Sequence, residues 1–162
     1  MSTGSASAST TAITPDALRG HWQGHRRLTR RVIEAFPEDQ LFAFSVAGMR
    51  PFGALALEML SMAVPTVRGA VTGEWVTSWQ SDPRPKAEVL RAWDESAAEL
   101  DALWPRIPAE RFPETLTAFG QYTMPLYELV LYCVDNEVHH RGQGYVYLRA
   151  LGIEPPPFWA RD

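Results

Sequence analysis

The sequence is poor in the features that most often announce an activity. It has one cysteine, Cys133, among 162 residues, so neither an internal disulfide nor a cluster of thiolate metal ligands can form. That usage suits a reducing compartment, and the cytoplasm is the expected location. No apolar run is expected to reach the roughly 18 residues needed to cross a membrane. The opening Ser/Thr/Ala-rich stretch, residues 1–13, lacks a basic segment followed by an apolar one, so it reads as a disordered tail rather than a secretory signal. An excess of positive charge is missing as well. With 15 Lys and Arg against 19 Asp and Glu, the net charge is −4, which argues against a nucleic-acid partner. There is no internal repeat, nucleophile elbow, phosphate-binding loop or dinucleotide fingerprint.

What is present is an ordinary globular composition, 46% hydrophobic and 21% charged. The length suits one domain over residues 14–162. Four helical segments stand out. The first opens on Thr14-Pro15-Asp16, a capping residue followed by proline and an acid, and runs to about Phe36. Its stripe is Leu18, His21, Trp22, His25, Leu28, Val32 and Phe36. The basic cluster "HRRLTRR" within it, with Arg26, Arg27, Arg30 and Arg31, is expected on a solvated face.

The second segment, Pro51 to about Gly69, is apolar almost all round and so should be buried; Glu58 is the ionisable residue of its "GALALEMLSMAV" run. The third runs from about Pro85 to Trp104, with Val89, Leu90, Trp93, Ala97, Leu100 and Leu103 facing inward. A proline-punctuated connection, Arg106 to Pro125, with a short extended piece, leads to a fourth helix ending at Gly152. In the tail after it, Phe158 and Trp159 are expected to pack on the bundle. The expected fold is therefore all-α, a four-helix bundle.

The chemistry-bearing residues gather on the fourth helix. At about 100° per residue, Tyr132, Cys133, His140, Gln143 and Tyr147 lie within about 60° of Asn136, and His139 sits at the edge of that arc. Asn136 and His140 have the i,i+4 spacing of paired ligands in helical metal motifs, a spacing that hydrogen-bonded core residues also show. Glu58 is an acid that a buried helix must pair, protonate or bind to metal. His21 and His25 form a second i,i+4 pair, but without the glutamate of a zinc-protease motif. Cys133 sits mid-helix, far from the helix N-terminus that would activate a thiol.

The run "EVHHRGQGYVYLRALGIEPPPFW" (Glu137 to Trp159) resembles the C-terminal signature of the DinB/YfiT-like superfamily of damage-inducible four-helix-bundle proteins, and "GMRPFGALALEMLSMAVPTVRGAVTGEW" (Gly48 to Trp75) is similar to its second helix and following turn. The resemblance implies an up-down-down-up bundle and a homodimer. It also implies a divalent metal, such as zinc or nickel, held by one histidine of the second helix and two spaced i,i+4 on the last. Members include S-transferases and isomerases that use the low-molecular-weight thiols mycothiol or bacillithiol. Carried onto this chain, the ligand positions fall on Glu58, Asn136 and His140, so two of three depart from histidine. Glutamate keeps an anionic ligand acceptable to zinc, nickel, manganese or iron, whereas asparagine is a weak neutral one.

Three expectations follow. One is a metal-dependent transferase or hydrolase holding its ion on Glu58 and His140 with Asn136 or His139, with Cys133, Gln143 and Tyr147 lining a small-molecule substrate pocket. The second is a metal-free relative that binds a small molecule or acts as a dimeric interaction module. The third moves the metal, with His21 or His25 joining Glu58 and His140.

Overall fold

The computed structural model describes residues 13–77 and 79–162. The tail expected over residues 1–13 therefore lies, apart from Ile13, outside the described residues. Four helices form: α1 (Pro15–Ala35), α2 (Phe52–Thr72), α3 (Lys86–Leu103) and α4 (Leu126–Ala150). The Thr14 side chain caps α1 by accepting from the Ala17 amide at 3.1 Å. Gly73 ends α2 at φ 79°, a left-handed position that suits glycine. The extended piece of the connection is a hairpin, β1 (Thr115–Ala118) paired antiparallel with β2 (Tyr122–Pro125).

The directions of the helices follow from their side-chain pairs. Arg30 meets Asp94 while Arg19 meets Asp101, so α1 and α3 are antiparallel. Arg68 pairs with Glu99, and Lys86 at the start of α3 reaches the Phe36 carbonyl at the end of α1. Hence α2 and α3 run parallel, joined by a crossover whose Gln80 amide donates to Ser61 Oγ midway along α2. Gly144 lies against Phe52 and Cys133 against Thr66, which sets α4 antiparallel to α2. This is the up-down-down-up order.

By length and composition α2 is apolar enough to cross a membrane, with a mean hydropathy of 1.3 over its best window, contrary to the expectation from the sequence. More than half of that window is buried inside the bundle, as it must be for a helix packed on both α3 and α4. The core divides into two clusters. One holds Trp22, Val67, Trp104 and Val130; the other holds Phe36, Phe52, Trp93 and Tyr147. Between them, at the middle of the bundle, lies a layer of polar and charged side chains.

Two expectations about packing are corrected. Of the arginines of "HRRLTRR", Arg26 departs from the expected solvated face: it is 1% exposed, with its guanidinium 4.3 Å from the Trp93 ring centroid. Arg27 and Arg31, one turn apart, instead donate to the Arg161 and Asp162 carbonyls and dock the tail. Phe158 and Trp159 are exposed and touch each other. Backbone carbonyls of the tail, rather than its aromatic rings, satisfy the arginines of α1, and this turns the rings outward.

Candidate functional site

Half of the polar layer is built by α2 and α4. Glu58 Oε1 accepts from Asn136 Nδ2 at 3.2 Å and lies 3.1 Å from His140 Nε2. Its other oxygen, Oε2, pairs with the guanidinium of Arg50 at 2.5 Å. Asn136 Nδ2 is also 3.2 Å from His140 Nε2, so the three side chains from the last and second helices converge. Burial opposes ionisation of Glu58, but hydrogen bonds from Arg50, His140 and Asn136 outweigh it and hold the carboxyl below its ordinary range. The sequence offered one signal for Arg50: it stands two helical turns before Glu58, just ahead of α2.

Glu58 also forms part of the wall of a cavity of about 220 Å³ between α2, α4 and the hairpin. Leu129, Tyr132 and Cys133 of α4, Phe119 and Tyr122 of the hairpin, and Trp79 of the α2–α3 crossover also line it. Cys133 is buried there, its Sγ 3.5 Å from Thr66 Oγ1, and burial pushes its thiol up to about 11. Its burial, mid-helix and away from any helix N-terminus, is the setting of a packing residue.

Gln143 and Tyr147 do not join this wall. Gln143 lies beside His140 Nδ1 at 3.4 Å and His139 Nε2 at 3.0 Å, on the opposite side of the imidazole from Glu58. Tyr147 is fully buried and donates to the Arg50 carbonyl at 3.0 Å, so it fixes the backbone of the arginine that pairs with Glu58. His139 is exposed. His21 is exposed too, against its place on the expected inward stripe.

His25 belongs to the other half of the layer, between α1 and α4, and does not reach Glu58. Its ring faces two guanidiniums, Arg141 at 2.8 Å from Nδ1 and Arg161 at 3.0 Å from Nε2. Beside it, Glu137 is 1% exposed, accepts from Thr29 Oγ1 at 2.6 Å and lies 3.9 Å from both Arg26 and Arg141. The burial of Glu137 has a local signal in the sequence, since Val130, Val134, Glu137, Arg141, Gly144 and Leu148 form a regular helical stripe and all are buried.

Burial lowers the His25 imidazole to about 4, with Arg141 and Arg161 adding to the effect. The unfolded chain then binds a proton at this residue between pH 6.5 and 4 that the folded protein refuses, so folding stability falls as the pH drops through that window. Urea unfolding at pH 7 and pH 5 should differ by about 2 kcal/mol from this group, and His25→Gln should remove most of the difference.

The residues at Glu58 do not, as they stand, fit the divalent metal that the resemblance implies. Among the described residues no three His, Cys, Asp or Glu side chains come together as a metal-holding group. The cluster has one imidazole and one carboxylate, and the second carboxylate oxygen carries a guanidinium. Asn136 Oδ1 is buried without a partner. Rotating the amide to aim that oxygen at Glu58 and His140 would leave the amide nitrogen buried there instead, so an ion would move the orphan rather than satisfy it. The contacts that hold Glu58 are all made by side chains of its own chain.

A four-helix up-down-down-up bundle with a polar cluster on the second and last helices defines the class. The model of the DinB family matches residues 8–162, and the chain belongs to that family. It is similar in fold to a DinB-like protein from Bacillus cereus, at 17% identity and a TM-score of 0.73, covering 91% of this chain and 99% of that one. A DinB-like protein (YjoA) from Bacillus subtilis is similar at 15% identity and a TM-score of 0.73, covering 90% and 99%. No curated protein matches the sequence.

Proposed function

We propose that this DinB-family protein binds a small molecule in the cavity beside Glu58, and that the Arg50–Glu58–Asn136–His140 cluster works there without a metal. The observation that supports this reading is the pairing of both Glu58 oxygens, one by Arg50 and the other by Asn136 and His140. The carboxylate is held and oriented by side chains of its own chain, which is the task that a metal ion would otherwise perform.

The rival reading is a divalent-metal-dependent enzyme of the family's kind, either a hydrolase or an S-transferase with mycothiol or bacillithiol as cosubstrate. Its support is the spacing of the Glu58, Asn136 and His140 donor atoms, 3.1 to 3.2 Å apart. A homodimer belongs to either reading, with Val138 and Val146 exposed on the outer face of α4.

Metal analysis of untagged protein after incubation with zinc, nickel, manganese and iron separates the two. Metal far below one equivalent is expected, with no turnover of an electrophile in the presence of mycothiol, bacillithiol or glutathione. Near-stoichiometric metal that disappears in both Glu58→Ala and His140→Ala would overturn the metal-free reading.

A further inference from the structure

The walls of the cavity at Glu58 have a one-sided charge character. Four aromatic rings contribute to it: Trp79, Phe119, Tyr122 and Tyr132. Among the described residues Glu58 is the acidic one of its lining, and no lysine, arginine or histidine takes part. Arg50 stands outside that lining, half-exposed, and pairs with the Glu58 carboxylate without occupying the cavity. A carboxylate has about four lone-pair sites. Asn136 and His140 face two on Oε1 and Arg50 takes one on Oε2, so one remains for a ligand.

Aromatic faces carry negative charge density and attract cations, most strongly where water is excluded. An anion in the same space would face the Glu58 carboxylate, and among the described residues no basic side chain lines the wall. The size is also restrictive: about 220 Å³ lies below the roughly 300–1,000 Å³ of sites for drug-sized molecules.

From this juxtaposition of one carboxylate with four aromatic rings, and resting on the small-molecule reading above, we propose that the cavity selects a small organic cation: an amine or quaternary ammonium on an apolar body. The charged end sits against Glu58 and the apolar body lies among Phe119, Tyr122 and Leu129. Trp79, 61% exposed, stands at the mouth and adds a ring to the cation's surroundings.

The test is calorimetric titration of the full chain, stripped of metal with a chelator, with three probes of one body and different charge: phenethylamine, 2-phenylethanol and phenylacetate. Phenethylamine should bind about tenfold more tightly than the alcohol, and phenylacetate most weakly. Glu58→Gln should bring the amine and the alcohol to within about twofold of each other, and Trp79→Ala, at an exposed position, should weaken the amine more than the alcohol. Equal binding of amine and alcohol, or preference for phenylacetate, would overturn the cation assignment while leaving a small-molecule pocket in place. Binding of none of the three would overturn both.

Discussion

Glu137→Ala should lower the free energy of unfolding by about 3–5 kcal/mol, measured from urea or guanidinium transitions. The side chain is 1% exposed and lies 3.9 Å from Arg26 on one side and from Arg141 on the other. Burial pushes the Glu137 carboxyl up, while Arg26, the Thr29 hydroxyl and Arg141 pull it back toward the ionised form. Its removal leaves two guanidiniums buried between helices with no counter-anion, and Arg26 already has Nε and one terminal nitrogen without partners. Glu137→Gln should lose nearly as much, because the charge rather than the volume is what the arginines require. Replacing Arg26 and Glu137 together by Met and Leu should recover much of the loss, since the desolvation cost leaves with the charges. A loss under about 1 kcal/mol in Glu137→Ala would place this acid among ordinary surface ion pairs and contradict its position.

Gly144→Ala and Gly142→Ala, two residues apart in "HHRGQG", should change stability in opposite directions. A methyl group on Gly144 would come within 2.5 Å of the Phe52 ring. That ring is fully buried and stacked on Phe36 with centroids 4.9 Å apart, so it has nowhere to go. Overpacking of this kind costs about 1–3 kcal/mol. A methyl on Gly142 meets nothing within 4 Å, and the better helix propensity of alanine should stabilise the fold by up to about 1 kcal/mol. Thermal or chemical unfolding of the two variants measures the contrast. Because Phe52 starts α2 six residues before Glu58, Gly144→Ala should also disturb the amine binding proposed above, while Gly142→Ala should leave it intact.

The two glycines show what a sequence carries and what it withholds. Both stand in one motif, and helical periodicity puts Gly144 on the stripe of Val130, Val134, Glu137, Arg141 and Leu148, but only the approach of α2 reveals the Phe52 ring against it. The same holds for the charges. Arg26 follows Trp22 by one turn, so it shared an inward stripe that the eye for basic clusters passed over. Its counter-ion lies on α4, more than a hundred residues away, and no local pattern pairs them. Glu58, Asn136 and His140 were legible because an acid in an apolar helix and an i,i+4 pair are local facts. Arg50 and the hairpin wall of the cavity depend on long-range packing, as do the outward rings of Phe158 and Trp159.

Sequence alone determined the four helices, the Thr14 cap and most of the inward faces, since these follow from turn chemistry and a period of about 3.6 residues. It also determined which side chains could meet at the middle of the last helix. Tertiary structure decided the rest: that Glu58 is met by a guanidinium as well as by Asn136 and His140, that Glu137 holds two buried arginines, and that aromatic rings from a hairpin and a crossover enclose one carboxylate. Those outcomes depend on which helices lie side by side, and burial then makes each unpaired charge so costly that its partner must be supplied from elsewhere in the fold.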